Sequence, residues 1–436
     1  MSYTVFWFRR DLRLDDNVGL YHALRRGQPV LPVFIFDRDI LDTLPAQDAR
    51  VDFIHRTLHE MQATLAGLGT SLIVRYGHPA EVWRSLLDTY PISAVYTNHD
   101  YEPYAQARDH EISDLLAAHG AVLHTFRDQV IFERDELLSG AGKAYSVFTP
   151  YARKWRETLA TQPERLSSFD TRAWFGNWAP LAVQPIPTLA EMGFRATDTL
   201  FPSRDPDEAI IRHYSERRDF PAQAGTTRIG LHLRFGTVSI RHLARVAQAL
   251  DATYLNELIW REFYMQVLWN FPHVVTGPFR REYAAVPWLD DEATFEKWKT
   301  GRTGYPIVDA GMRELSATGY MHNRVRMITA SFLSKHLLLN WQWGEAWFAE
   351  KLLDFELASN SGGWQWAAGC GTDAAPYFRI FNPTAQTQKF DAEMKYVRRW
   401  VPEYGTPAYP RPVVDHAFAR ERCLAAYKGV LGNKEG

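Results

Sequence analysis

Between residues 3 and 126, short apolar runs and amphipathic helical patterns alternate without a break, and then the alternation stops. Strand-like runs at 3–8, 30–36, 71–75, 94–97 and 121–126 are separated by helical patterns at 18–26, 51–68, 80–89 and 104–119. Strict alternation of this kind predicts a parallel sheet with helices on both faces, so residues 1–131 are expected to form a Rossmann-like α/β domain. No glycine-rich fingerprint follows the first strand. The text there is Phe8-Arg9-Arg10-Asp11-Leu12-Arg13, which argues against a dinucleotide held in the usual Rossmann manner. Asp15-Asp16-Asn17 suits a helix N-cap, and Arg9, Asp11 and Arg13 suit a buried charge network. His99, Asp100, Tyr101 and Glu102 follow the C-terminal end of a strand, where sheets of this class bind ligands.

From 132 to 209 the periodicity weakens under Pro, Gly, Ser and Trp, as expected of a long connector. After residue 210 helical patterns take over at 237–250, 253–270, 291–299, 307–315, 323–340 and 345–355, so 210–436 is expected to be all-α. A chain of 436 residues with 46% hydrophobic content is a folded protein of two or three domains. Its formal net charge of -2 gives no general pull toward nucleic acid or membrane, so an anionic partner needs a local basic patch. Cys370 and Cys423 alone make neither a disulfide framework nor a cysteine zinc site, and no metal is expected. With no signal-like N-terminus and no apolar run long enough to span a bilayer, a cytoplasmic, monomeric protein is the default expectation.

Chemistry concentrates late in the chain. Ten of the 15 Trp lie after residue 250. The stretch 354–383, DFELASNSGGWQWAAGCGTDAAPYFRIFNP, combines two acids, an Asn, two Trp and an aromatic-polar run broken by glycines, which let a backbone approach a flat group. Glu257, Trp260 and Arg261 stand at i, i+3 and i+4 of one helical pattern, as do Asn323, Arg326 and Met327 of another. Such faces suggest a cavity lined for a planar ligand, although each alone would also pass for core or solvated surface. The run from Thr226 to Gly230 offers hydroxyls, a cation and backbone N–H groups suited to a phosphate. Arg217-Arg218, Arg280-Arg281, Arg324 and Arg398-Arg399 could ring the mouth of such a cavity.

The motifs WFRRDLRLDDN, YLNELIWREFY, GRTGYPIVDAGMRELSATGYMHNRVRM and NSGGWQWAAGCGTDAAPYFRIFNP resemble the photolyase/cryptochrome family over nearly the whole chain, most closely the class I cyclobutane pyrimidine dimer photolyases. That resemblance implies an α/β domain, a connector and a helical domain that binds FAD. It places Tyr214, Thr226, Thr227, Arg228, Ile229 and Gly230 at the FAD phosphates, with Tyr254 where well-known relatives have Trp. Asp354 and Glu356 correspond to the acid pair beside the flavin, Glu356 standing where Asp is common. Arg326 is implied to pair with Asp354, and Asn360 to face flavin N5. Glu257, Arg261 and Asn323 also border the cofactor. Trp364, Trp341 and Trp288 match a relay that carries an electron inward to the photoexcited flavin.

On the substrate side, the resemblance assigns Glu257 to the pyrimidine edge, Trp260 and Trp366 to stacking, and Asn323 and Met327 to the floor. Arg218, Arg261, Tyr264, Arg324 and Gln386 are implied to contact DNA. The implied activity is light-driven repair of cyclobutane dimers by an electron from reduced FAD to a flipped-out dimer in UV-damaged DNA. Six-four photolyases tend to carry His at the positions of Asn323 and Met327, and neither is His here. A cryptochrome-like blue-light sensor is the alternative, and a light-independent flavin oxidoreductase a third reading. Tyr101 and Glu102 resemble antenna-site residues, with the second chromophore left open between a folate, a deazaflavin, a flavin or none. No obligate protein partner is implied.

Overall fold

The alternating patterns of the first third become a five-stranded parallel sheet in the computed structural model, which describes residues 2–432. Its strands are β1 (Tyr3–Phe8), β2 (Val30–Asp37), β3 (Ile73–Gly77), β4 (Ile92–Asn98) and β5 (Val122–Phe126), in the order β3-β2-β1-β4-β5. β2 is buried along its whole length, which is why its sequence reads as a continuous apolar run. Helices Val18–Arg25, Ala49–Gly67, Pro79–Thr89 and Pro103–Ala118 supply the crossovers. The Asn17 side chain caps the first of them, accepting from the Leu20 N–H at 3.1 Å.

Strand order reverses at β1, which pairs with β2 on one side and β4 on the other. The carboxyl end of the sheet carries the expected charge network. Arg10 donates to Asp100 at 3.0 Å and Glu102 at 2.9 Å, while Arg13 and Arg241 both donate to the buried Asp128, at 2.6 and 2.9 Å.

The chain divides into two compact units. One comprises residues up to Glu133 with Arg156–Asp205 and Ile229–Gln248; the other comprises Arg134–Trp155, Pro206–Arg228 and the chain from Ala249 onward. Residues 132–209 are therefore shared between the units rather than standing apart as a connector. Residues 229–248, read from the sequence as part of the helical half, fold with the sheet. Arg241, 3% exposed, ties them there through Asp16 and Asp128, and His232 and Phe235 pack against Phe53.

Among the described residues, the named elements of the second unit are helices, with one isolated bridge between Leu289 and Leu339. One expected helix, 323–340, is cut short. It runs Asn323–Ser331, widens into the five-residue π turn Phe332–His336, and ends at Leu338, whose φ of 56° cannot continue a right-handed helix. Conversely, Phe148–Thr161 and Leu357–Ala368 are helices that the sequence patterns did not mark. Among the described residues, no helix is long and apolar enough to cross a membrane.

Candidate active site

Three helices of the second unit turn polar faces toward one cavity of about 380 Å³. From Ala252–Asn270 come Glu257, Trp260, Arg261 and Tyr264, at i, i+3, i+4 and i+7. From Asn323–Ser331 come Asn323, Arg326, Met327 and Ala330 at the same spacing. From Leu357–Ala368 and the loop before it come Asp354, Phe355, Glu356, Ser359, Asn360, Gly363, Trp364 and Trp366. An α-helix places residues at these intervals on one stripe, so the polar-aromatic pattern of the sequence becomes a lining.

Each wall is pinned from behind. Glu356 is the N-cap of its helix, accepting from Ser359 N–H at 3.3 Å and from the Ser359 hydroxyl at 3.0 Å, so a good part of this acid is committed to holding the helix end. Arg326 donates to both Asp354 oxygens, at 3.0 and 2.9 Å, and its Nε donates to the Met321 carbonyl at 2.7 Å. Burial works against the Arg326 charge, yet Asp354 leaves its pKa raised, so the cation is permanent. Two glycines allow close packing: a Cβ on Gly362 would lie 2.2 Å from the Tyr264 ring, and one on Gly344 would lie 2.1 Å from Trp364.

Asn360 is oriented by a residue that the sequence reading missed. Its Nδ2 donates to the Glu345 carboxylate at 2.7 Å and to the Glu345 carbonyl at 3.1 Å, which leaves Oδ1 as the end offered to a ligand. Glu345 is pushed above the usual carboxylate range by burial, with the Asn360 hydrogen bond pulling the other way. No sequence signal distinguished this acid from the solvated charges around it.

The charges at the rim are paired with one another. Arg218 donates to Glu257 at 2.5 Å, and Arg324 donates to Asp219 at 2.7 Å. Trp260 stacks on Phe148 with ring centroids 3.7 Å apart and planes 5° from parallel, whereas Trp366 meets Phe381 at 6.5 Å and 49°. Gln386 is half-buried on Pro383–Phe390 and is not part of the cavity wall.

The residues expected at phosphates gather beside this cavity's helices in a cluster of their own. The Thr226 and Tyr320 hydroxyls lie 3.0 Å apart, those of Thr227 and Tyr254 2.9 Å apart, and the Arg228 guanidinium sits 4.3 Å above the Tyr320 ring. Tyr214 meets Tyr254 edge-on at 5.0 Å. Burial pushes the Tyr254 hydroxyl up to about 12, so it stays a neutral donor. Tyr320 also escaped the sequence reading, its ring being indistinguishable there from core. Ile229 is buried and Gly230 opens the short helix Gly230–Arg234, both in the sheet-containing unit.

Trp364 and Trp341 are buried in one apolar cluster, with Trp288 packed against it and half-buried. In the sheet-containing unit, the Tyr101 hydroxyl donates to Glu133 at 2.8 Å, and Glu102 accepts from Arg10 and from Arg234 at 2.6 Å. Both residues are thus engaged in internal contacts.

Residues 4–168 match the DNA photolyase family, and residues 254–407 match the FAD binding domain of DNA photolyase. A deoxyribodipyrimidine photo-lyase of Synechococcus sp. is 36% identical over 97% of this chain and 96% of its own. The chain belongs to the DNA photolyase family. Its fold is that of solved photolyases. A bacterial class III photolyase from Agrobacterium tumefaciens superposes with a TM-score of 0.87 at 34% identity, covering 99% of this chain and 98% of that one. An archaeal photolyase from Sulfolobus tokodaii, solved with two FAD molecules, gives 0.85 at 32% identity over 98% of this chain and all of its own.

The cavity fits the FAD that this photolyase domain implies. Trp364, Phe348 and Phe355 offer apolar faces, Arg326 a fixed cation and Asn360 an acceptor, while the buried Trp364 Nε1 has no hydrogen-bond partner. A Cβ added at the exposed Gly363 would meet nothing within 4 Å, so this part of the wall is open to a flat group.

Proposed function

We propose that the protein splits cyclobutane pyrimidine dimers in DNA with light, holding FAD and a flipped-out dimer in neighbouring parts of this cavity. One observation carries the reading. The groups suited to a flavin (Arg326, Asp354, Asn360, Trp364) and those suited to an extruded base pair (Glu257, Trp260, Met327, Trp366) line the same space. An electron can pass between ligands that close without an intervening aqueous gap.

Bound here, FAD supplies light absorption and the single electron that cleavage of the ring bonds requires. The chain's own residues do the placing. Asn360 Oδ1 accepts from an N–H donor, and Glu345 keeps it turned that way. Arg326 favours an anionic ring beside it, an effect strengthened where water is scarce. Trp260 and Trp366 offer stacking at about 1–3 kcal/mol per base, which offsets the few kcal/mol that extrusion costs. The Glu257 carboxylate hydrogen-bonds a pyrimidine edge once Arg218 turns outward to phosphate, and Arg324 serves the same backbone. Trp341 and Trp288 return an electron to Trp364. Accordingly, Trp288→Phe should slow light-driven reduction of oxidised FAD while leaving repair by pre-reduced protein intact.

The deciding experiment irradiates the FAD-loaded, reduced protein with an oligonucleotide carrying one dimer and follows recovery of thymine absorbance. Recovery in light and none in the dark is expected. An unaltered dimer after prolonged irradiation would leave the sensor reading in its place, and turnover in the dark would favour an ordinary flavin oxidoreductase.

A further inference from the structure

Segment 145–155, which reads in the sequence as part of a connector, is fastened to the back of the helix that carries Trp260. Glu262, two residues beyond Trp260 and 3% exposed, accepts from Trp155 Nε1 at 2.6 Å and from the Tyr151 hydroxyl at 3.2 Å. These bonds bring the N-terminus of helix Phe148–Thr161 against Ala252–Asn270 and lay the Phe148 ring flat on the Trp260 indole, 3.7 Å away and 5° from parallel. Phe148 is itself 6% exposed, so it stands on the protein side of the indole and leaves the cavity side clear. Phe263 closes the edge of the same stack at 5.8 Å and 78°.

A second tie comes from the opposite wall. The Phe148 N–H donates to the Asp373 carboxylate at 3.2 Å, and Asp373 is held at a φ of 46°, a left-handed conformation costly for a residue with a side chain. Asp373 belongs to the loop that follows helix Leu357–Ala368 and leads to Phe381, the ring that meets Trp366. One carboxylate therefore links the backing of the first stacking indole to the loop that supports the second.

We infer that Phe148 and Asp373 are positioning residues for the lesion: Phe148 fixes the plane of Trp260, and Asp373 fixes the spacing between the Trp260 and Trp366 jaws. The inference rests on the proposed role of Trp260 in stacking. A preorganised platform binds more tightly than a mobile one because ordering is not charged to the binding step. Loss of the backing ring should therefore weaken recognition of the extruded dimer and leave contacts to ordinary duplex alone.

The test is dark binding of FAD-loaded protein to matched oligonucleotides with and without a dimer. Phe148→Leu should weaken binding of the damaged strand about five- to tenfold and leave the undamaged strand unchanged, while Phe148→Tyr should behave as wild type. Asp373→Ala should shift it in the same direction, and Asp373→Asn, which keeps an acceptor, should not. Bound FAD per chain reports that each variant is folded. The decisive arm is the double variant Phe148→Leu/Trp260→Ala, which should bind no more weakly than Trp260→Ala alone, because the backing ring acts only through the indole. If Trp260→Ala weakens damaged-strand binding but Phe148→Leu does not, or if the two losses multiply, the inference is overturned while the stacking role of Trp260 stands. If Trp260→Ala itself has no effect, the stacking role falls, and the inference with it.

Discussion

The carboxyl end of the sheet and the helical cavity both pair arginines with acids, as Arg326 with Asp354 in the cavity, but at the sheet several arginines share one buried carboxylate. At the sheet, buried carboxylates meet guanidinium groups. Burial alone would favour the neutral form of Asp100, but Arg10, Arg9, Arg234 and Arg108 together hold it down at about 2, and Asp128 is likewise lowered by Arg13 and Arg241. Asp11, in the same network but bonded by the amides of Asn17 and Asn98, is pushed up by burial instead. In the cavity wall that second arrangement recurs, for Glu345 faces the Asn360 amide and is raised. A buried carboxylate shared among guanidinium groups is held ionised, whereas one answered chiefly by amides is held nearer its neutral form.

The largest effect expected from this contrast is at Asp128, which is 1% exposed and shared by two arginines. Asp128→Ala strands both cations, and breaking a buried pair in this way costs about 3–5 kcal/mol. A fall of that size in the unfolding free energy from urea titration is expected, with the dark affinity of the folded protein for a dimer unchanged. Because the Asp128 pKa lies below its unfolded value, this stabilisation is present above the ordinary carboxylate range and fades as pH falls through the lowered value. A variant as stable as wild type would mean that the network is ornamental, and the contrast would collapse.

The sheet was legible because its code is local. Apolar runs of four to seven residues between helical patterns give strand and crossover directly, and Asn17 announces its cap. The cavity faces were legible for a similar reason, since Glu257, Trp260 and Arg261 lie within one helix. What stayed hidden depends on pairing across the chain. Arg241 looks like any helix cation until it meets Asp16, 225 positions away, and Phe148 looks like connector until it meets Trp260. Helix Leu357–Ala368 was hidden by the low helix propensity of Gly362 and Gly363, which at Gly362 is offset by close packing against Tyr264. The π turn at Phe332–His336 leaves no mark in the apolar periodicity at all.

A smaller effect separates the rim from both regions. The Arg218–Glu257 pair is part-exposed, with side-chain exposures of 22% and 31%, so it is worth little to the fold. If the pair opens onto DNA as proposed, Arg218→Met should reduce the slope of log affinity against log salt by about 0.9, and Glu257→Ala should lower repair per bound dimer more than binding. Should Arg218→Met leave the slope unchanged, the pair belongs with the structural pairs at the sheet.

The smallest effect tests the cavity side of the comparison, because it predicts that removing a charge improves the fold. The Glu345 carboxyl titrates above its ordinary value near 4.5, so its contribution to stability is complete below that value and is lost as pH rises through the raised one. Above the raised value the chain therefore carries a half-buried charge that it would be more stable without. Glu345→Gln removes the ionisation but keeps an Oε1 acceptor for Asn360 Nδ2, so the amide stays turned. The variant should match wild type in thermal unfolding at pH 4, and become the more stable of the two as pH rises past the raised value. FAD content should hold throughout. Were the variant instead less stable above that value, Glu345 would be meeting a cation in the manner of Asp128, and Asn360 would not owe its orientation to a neutral contact of this kind.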